Sequence, residues 1–109
     1  MRISEYRAVW LCVLFDLPVL TKKQRRIYTI FRRNLLKDGF TMLQYSVYIR
    51  HCASLENATV HIGRVEDTVP EQGLVSILTV TDKQYSSMKT FWGRERQPDA
   101  VNPQQLELF

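Results

Sequence analysis

An unbroken run of eight apolar residues, at positions 8–15, is the feature that most limits how this chain can fold. The run is rich in β-branched and aromatic side chains, which favours a strand over a helix. Because it lacks the alternation of apolar and polar residues that is typical of a strand with one solvent-exposed face, we expect a central strand covered on both faces. Asp16 ends the run, and Pro18 prevents the strand from continuing.

A basic helix is expected to follow this strand. Thr21 and Gln24 have the spacing of a capping box, in which each side chain accepts a hydrogen bond from the other residue's backbone N–H. Apolar residues then recur at helical spacing until Asp38 and Gly39, where glycine tolerates a left-handed cap. These apolar positions are Ile27, Tyr28, Phe31 and Leu35.

Extended and helical patterns alternate further along the chain. Residues 40–52 read as extended but contain no internal glycine, proline or asparagine that would mark a hairpin, so one long strand and two strands both remain open. Ser54 can cap a second helix whose apolar spacing continues to Val69 and which Pro70 stops. Residues 74–81 form a second apolar, β-branched run and are predicted to be a strand.

Thr81 and Gln84 repeat the capping signature, which predicts a short helix through Met88, and residues 90–92 suit a short strand. If the extended middle segment breaks in two, the order strand, helix, strand, strand, helix, strand describes an α+β fold, a ferredoxin-like βαββαβ sandwich with a short extra C-terminal strand.

The last sixteen residues differ in composition from the rest. They are polar, hold two prolines and have little to bury, so we expect residues 1–93 to form the domain and residues 94–109 a linker or mobile tail. A hydrophobic tip ends the tail, and its alternation suits a docking strand added to this domain or to a partner. The tip consists of Leu106, Leu108 and Phe109.

Positive charge is concentrated in one segment. Residues 17–37 hold seven Lys and Arg residues and no acid, whereas the rest of the chain is net −3. No acid lies one helical turn away from these cations, which favours phosphate binding over a solvated face with salt bridges. The localised positive charge favours nucleic acid as the partner over a membrane surface or a small regulatory ligand. The candidate nucleic-acid-binding residues, some of which can serve only for solubility, are Lys22, Arg25, Arg26, Arg32 and Arg33.

Other residue types exclude several classes of protein and site. Cys12 and Cys52 lack the spacing of a zinc or redox motif, and eight apolar residues are too few to span a bilayer. The same run could be mistaken for the core of a signal peptide, but Asp16, Leu17 and Pro18 and a basic helix follow it where a small-residue cleavage site would stand. We therefore expect a soluble, cytoplasmic protein without a membrane partner. His51 and His61 are not at metal-ligand spacing and are taken as structural.

Polar and aromatic residues of the middle segment allow two interpretations each. Gln44 and Ser46 either hydrogen-bond the backbone at a dimer seam or help to place a metal-bound water. Aromatic residues in strands are more often core or interface than base-stacking platforms, so we predict core positions for three of them. These three residues are Phe40, Tyr45 and Tyr48.

Three local patterns together are more specific than any one of them. They are LFDLP at residues 14–18, DGF at 38–40 followed by LQYSVY at 43–48, and ILTVTDKQ at 77–84. In these patterns the chain resembles the CRISPR-associated protein two family, most closely the members found beside type II loci. The resemblance covers nearly all of residues 6–93.

The resemblance implies a ferredoxin-like protomer, a twofold homodimer and the role of small partner to the CRISPR integrase in spacer acquisition. It implies a divalent metal at Asp16 and a tail, here residues 106–109, that adds a strand across the dimer or against the integrase. Some relatives cut RNA or duplex DNA with Mg²⁺, whereas others bridge integrase dimers on DNA without needing the aspartate. The expected function is a CRISPR adaptation protein with endonuclease activity, and the alternative is a non-catalytic DNA-binding scaffold.

Asp16 is the only carboxylate between Glu5 and Asp38. The pattern alone favours a role for it in ordering the turn at Leu17 and Pro18, while the resemblance favours a metal. In a twofold dimer, two copies of Asp16 could share one Mg²⁺ or Mn²⁺ ion, which would lower the pKa of a bound water and stabilise charge at the phosphodiester. Asp16 is therefore the candidate catalytic and metal-binding residue.

Overall fold

Four strands pair into one antiparallel sheet in the computed structural model, which describes residues 7–97 of the chain. The order of elements is β1 (Val9–Asp16), α1 (Lys22–Lys37), β2 (Thr41–Gln44), β3 (Val47–Cys52), α2 (Leu55–Glu66) and β4 (Leu74–Thr81). Neighbours in the sheet run β2-β3-β1-β4, so β1 is a central strand, as predicted. The arrangement confirms the α+β, ferredoxin-like fold.

A small hairpin follows the sheet. After the short helix α3 (Asp82–Ser86), β5 (Thr90–Trp92) pairs with β6 (Glu95–Gln97). β5 was predicted, whereas β6 lies where the sequence indicated a polar linker. The division into a domain and a tail at residue 93 stays a prediction, because residues 98–109 lie outside the described residues, as does the tip formed by Leu106, Leu108 and Phe109.

The helices begin at the predicted caps. The Thr21 hydroxyl accepts from the Gln24 N–H at 3.1 Å, and the Gln24 side-chain carbonyl accepts from the Thr21 N–H at 3.0 Å. Thr81 and Gln84 form the same reciprocal pair at the start of α3. Each box satisfies backbone donors that the first turn of a helix leaves unpaired.

α2 and α3 end earlier than predicted, at Glu66 and Ser86. The apolar spacing continues to Val69, but Pro70 disfavours helical backbone at that residue, so the helix does not reach it. The Thr68 N–H instead bonds to the Val65 carbonyl in a tighter turn.

One face of the sheet carries the core. Alternate residues of β1 are at most 7% exposed and pack against α1 and α2: Val9, Leu11, Val13 and Phe15. On the opposite face Leu14 is 38% exposed. The prediction that β1 is covered on both faces is therefore wrong for the described chain, because both long helices pack against the same side of the sheet.

The extended middle segment breaks into β2 and β3 at Tyr45 and Ser46. Ser46 has a φ of 60°, in the left-handed region that residues other than glycine rarely adopt. The Ser46 carbonyl accepts from the Phe15 N–H at 3.1 Å, and the Ser46 hydroxyl lies 3.0 Å from the Tyr28 hydroxyl. These bonds to β1 and α1 hold a strained turn that no glycine or asparagine marks in the sequence.

An ionic cluster joins the end of α1 to α2. His61 is only 5% exposed, and its Nδ1 lies 2.8 Å from Asp38 Oδ2. Arg64 Nη1 donates to Asp38 Oδ1 at 2.8 Å, and Arg50 Nε donates to the Asp38 carbonyl at 2.7 Å. Burial alone would raise the Asp38 pKa, but the hydrogen bonds from Arg64 and His61 outweigh it and hold that pKa below its ordinary range. His61 therefore has the structural role that the sequence predicted.

Acidification should remove the stabilisation that Asp38 provides. Because the folded-state pKa of Asp38 is depressed, this stabilisation is complete above the unfolded-state pKa of about 3.9 and is lost as the pH falls through the folded-state value. Near neutral pH, Asp38→Asn should lower the unfolding free energy by about 1–2 kcal/mol, measured by urea denaturation. The difference in unfolding free energy between the native protein and Asp38→Asn should become smaller below about pH 4. A difference that persists undiminished to about pH 2 would contradict this role of Asp38.

Gly73 allows a close approach between β4 and the end of β1. It has a φ of +96°, and a Cβ there would lie 2.7 Å from the Asp16 carbonyl oxygen and 2.8 Å from Leu17 Cδ2. We predict that Gly73→Ala lowers the unfolding free energy by about 2 kcal/mol or more. Gly63→Ala is the matched control, because a Cβ at Gly63 would meet no atom within 4 Å beyond its neighbours in α2, and helix propensity favours Ala by about 0.5–1 kcal/mol. Equal effects of the two substitutions in thermal denaturation would refute the close contact.

Candidate metal and nucleic-acid site

Asp16 lies where the central strand leaves the sheet. It is the last residue of β1, pairs with Leu74 of β4, and points away from the helices because Phe15 before it faces the core. Leu17 after it is 6% exposed, and Gly73 packs against the Asp16 carbonyl. Buried neighbours and a close backbone contact therefore fix the position of an exposed carboxylate.

The Asp16 carboxylate has no protein partner within residues 7–97: no hydrogen bond or ion pair engages it there. A role in ordering the turn at Leu17 and Pro18 would require such a bond from the side chain. The carboxylate is thus available to bind a cation or a substrate group.

A metal site is only partly assembled at Asp16 in one chain. The described residues contain no group of three or more His, Cys, Asp or Glu side chains that could hold an ion. Mg²⁺ is commonly bound through one or two carboxylates and completes its shell with water and substrate phosphate oxygens. Asp16 therefore fits a Mg²⁺ or Mn²⁺ site that a second carboxylate or a phosphate completes.

The cations of α1 form a basic surface on its outer side. Lys22, Arg25, Arg26 and Arg33 line a shallow depression of about 390 Å³ together with Thr29 and Ile30. None of these cations forms an ion pair within residues 7–97, which agrees with the absence of acid in the helix sequence. Four of the five predicted nucleic-acid-binding residues thus share one surface.

Arg25 differs from the other cations of this surface. Its Nη1 donates to the backbone carbonyls of Val19 and Leu20, at 3.2 and 3.0 Å. It therefore holds the loop between β1 and α1 in place. Arg32, the fifth predicted residue, does not line the depression and lies one helical turn beyond Tyr28.

Two of the three aromatic residues predicted to be core are buried: Phe40 is 2% exposed and Tyr48 is 1% exposed. For Tyr45 the prediction was wrong, because the turn at Ser46 swings it out of the strand and leaves it 76% exposed. Its ring centroid lies 6.0 Å from that of Tyr28, with 19° between the planes. No local sequence signal marks this exposure, because polar residues on both sides of an aromatic residue in a strand, here Gln44 and Ser46, predict a ring that faces the core.

A second aromatic group fixes α3 on the face of the sheet that α1 and α2 leave uncovered. Trp10 stacks on Tyr85 with centroids 4.0 Å apart, and its Nε1 donates to Asp82 at 2.8 Å. His51 Nε2 lies 3.6 Å from the same carboxylate, and its ring meets Trp10 edge-on. These contacts agree with a structural role for His51.

Among the described helices, none is long and apolar enough to cross a membrane.

The sequence is similar to proteins of one family over most of its length. The family model described as CRISPR associated protein Cas2 matches residues 9–88. A protein of Parvibaculum lavamentivorans named CRISPR-associated endoribonuclease Cas2 is 54% identical over 101 residues, which cover 93% of this chain and 100% of that protein. Proteins of the same name from Flavobacterium psychrophilum and Paracidovorax avenae are 47% identical over 108 residues and 45% identical over 107.

Those two alignments cover 99% and 98% of this chain, and 94% and 99% of the respective relatives. The match therefore extends from the first strand to the hairpin and includes Asp16 and α1. The chain belongs to the CRISPR-associated Cas2 family.

Proposed function

We propose that this chain is a CRISPR adaptation protein with metal-dependent endonuclease activity, in which Asp16 is the catalytic and metal-binding residue. The observation that carries the proposal is the exposed, unpartnered carboxylate held at the end of the central strand. The name endoribonuclease, which its relatives carry, supports RNA as the substrate, with duplex DNA as the second candidate.

A twofold dimer is part of the proposal. The sheet face opposite α1 and α2 exposes Leu14, Leu74 and Leu78 to 38%, 66% and 53%. Burying such a surface against a second copy would be favourable, and an interface on a twofold axis brings a residue near that axis close to its own copy. Asp16 lies on this face at the end of β1. Two such carboxylates would repel each other unless a cation lay between them.

In this site, each part of the chain has a distinct task. Paired Asp16 carboxylates would hold Mg²⁺ or Mn²⁺, and such an ion supplies a water of lowered pKa and neutralises charge that develops on a phosphodiester. The close contact at Gly73 and the buried Leu17 keep Asp16 in place. Cations of α1 bind phosphates on either side of the cleaved bond and orient the nucleic-acid strand without reading its sequence.

Replacing Asp16 tests the nuclease directly. In Mg²⁺, Asp16→Asn should cut labelled RNA about a hundredfold more slowly than the native protein or not at all, because the amide binds a divalent cation poorly. Asp67→Asn is the matched control, since Asp67 is an exposed aspartate at the end of α2 and the substitution changes charge in the same way. The same comparison is made with labelled duplex DNA. For either substrate, cutting by Asp16→Asn at the native rate, or cutting unaffected by chelator, would rule out the catalytic assignment for that substrate.

The second candidate function is a DNA-binding scaffold without catalysis. It is favoured by the basic surface of α1, which lacks acidic partners within the described chain. In this role the dimer would hold DNA for the CRISPR integrase, and the tail would dock on the integrase. The tail residues proposed for docking are Leu106, Leu108 and Phe109.

Salt dependence tests the basic surface in either role. Duplex affinity should fall steeply with salt, and Arg26→Ala with Arg33→Ala should reduce the slope of log affinity against log salt by about one for each phosphate that the protein no longer neutralises. Arg25 is left intact because it holds the preceding loop. The control is Lys83→Ala with Lys89→Ala, which removes equal charge outside α1. An equal change of slope in both double variants would exclude a specific role for α1.

A further inference from the structure

We propose that Tyr45, backed by Tyr28, stacks on an unpaired nucleobase and positions a single strand of RNA beside Asp16. This inference rests on the proposed nuclease function and adds a positioning residue to it.

The first reason is that Tyr45 is exposed on a backbone that hydrogen bonds hold in place. It leaves 76% of its surface exposed, so it contributes little to the core. The next residue, Ser46, is fixed by a backbone hydrogen bond to Phe15 and a side-chain contact with Tyr28. A large flat side chain on a fixed backbone loses little conformational entropy when a ligand binds, and this lowers the cost of recognition.

The second reason is the arrangement of the two tyrosine rings. Their planes differ by 19° and their centroids lie 6.0 Å apart. The Tyr28 hydroxyl lies 3.0 Å from the Ser46 hydroxyl, which anchors the ring behind Tyr45. Tyr45 therefore presents an aromatic face in a set orientation, and a base can stack on such a face whatever its identity.

The third reason is the location of the turn at the end of the central strand. The Phe15 N–H bonds to the Ser46 carbonyl at 3.1 Å, and Asp16 and Tyr45 are the residues next to this pair on the two segments. Neighbouring strands lie about 4.8 Å apart, so the two backbones are adjacent here. Asp16 faces away from the helices, whereas the Tyr45 ring lies against Tyr28 of α1. An RNA strand bound to both residues would cross the end of the β-sheet.

A cation follows Tyr28 on α1. Arg32 is exposed on α1, one helical turn beyond Tyr28. Its guanidinium is suited to the phosphate of the nucleotide that stacks on Tyr45. This gives Arg32 a role separate from that of the depression formed by Lys22, Arg26 and Arg33.

The chemistry of stacking selects an unpaired strand. Bases inside a duplex have their faces covered by neighbouring base pairs, whereas bases of single strands and loops can splay out and stack on aromatic side chains. Tyr45 therefore favours single-stranded RNA over a duplex as the substrate that is aligned for cutting.

Binding of RNA with single abasic positions tests the inference without cleavage. A short RNA is made with one abasic nucleotide at each position in turn, and its affinity for the full-length protein is measured in chelator. We expect one position at which removal of the base weakens native binding by about fivefold or more. Tyr45→Phe should retain this dependence, since it keeps the ring. Tyr45→Leu should bind intact RNA as weakly as the native protein binds that abasic RNA, and should be indifferent to the missing base.

Two results would overturn the inference: RNA binding by Tyr45→Leu that is as strong as native, or an abasic penalty at the same position that is equal in native and Tyr45→Leu protein. Cleavage measured in Mg²⁺ separates this inference from the nuclease proposal. If the abasic penalty depends on Tyr45 but the protein does not cut RNA, the inference stands and the nuclease proposal fails. If the protein cuts RNA but the penalty does not depend on Tyr45, the nuclease proposal stands and the inference fails. In a cutting protein, Tyr45→Leu should raise KM about fivefold or more while kcat changes little, because Asp16 remains in place.

Discussion

The packing of alternate β1 side chains against both long helices is the contact on which the rest of the structure depends. Val9, Leu11, Val13 and Phe15 bury themselves in one layer with α1 and α2. Because side chains of a strand alternate, the same backbone directs Trp10, Cys12, Leu14 and Asp16 to the other face. The core thus determines which residues are left for association and for chemistry, and Asp16 is the last of them.

Much of the fold could be predicted because the local signals agree with one another. Thr21 and Thr81 begin helices through the capping boxes that their sequences indicate, and β4 spans the predicted residues. The break at Ser46 could not be predicted, because its support comes from Phe15 and Tyr28, which are distant in the sequence. Long-range bonds of this kind leave no local pattern.

The candidate site was predictable in its charged parts and not in its aromatic part. The cations of α1 follow from the positions of charge along the sequence, since residues 17–37 contain no acid. Asp16 was singled out by the family resemblance, because the pattern alone favoured a role in ordering the turn after it. The division of labour among the arginines depends on the folded geometry: Arg25 holds a loop, while Arg26 and Arg33 remain on the outer surface. Tyr45 was assigned to the core because strand propensity says nothing about which residue a turn will expel.

The cap of α1 separates helix initiation from electrostatics. A capping box commonly uses glutamate, whose carboxylate would also neutralise part of the positive end of the helix dipole. Here Gln24 makes the same hydrogen bonds without charge, and the first turn of α1 contains no acid. The dipole and the neighbouring Lys22 and Lys23 therefore add to one another, and an approaching polyanion meets their combined field undiminished by the group that starts the helix.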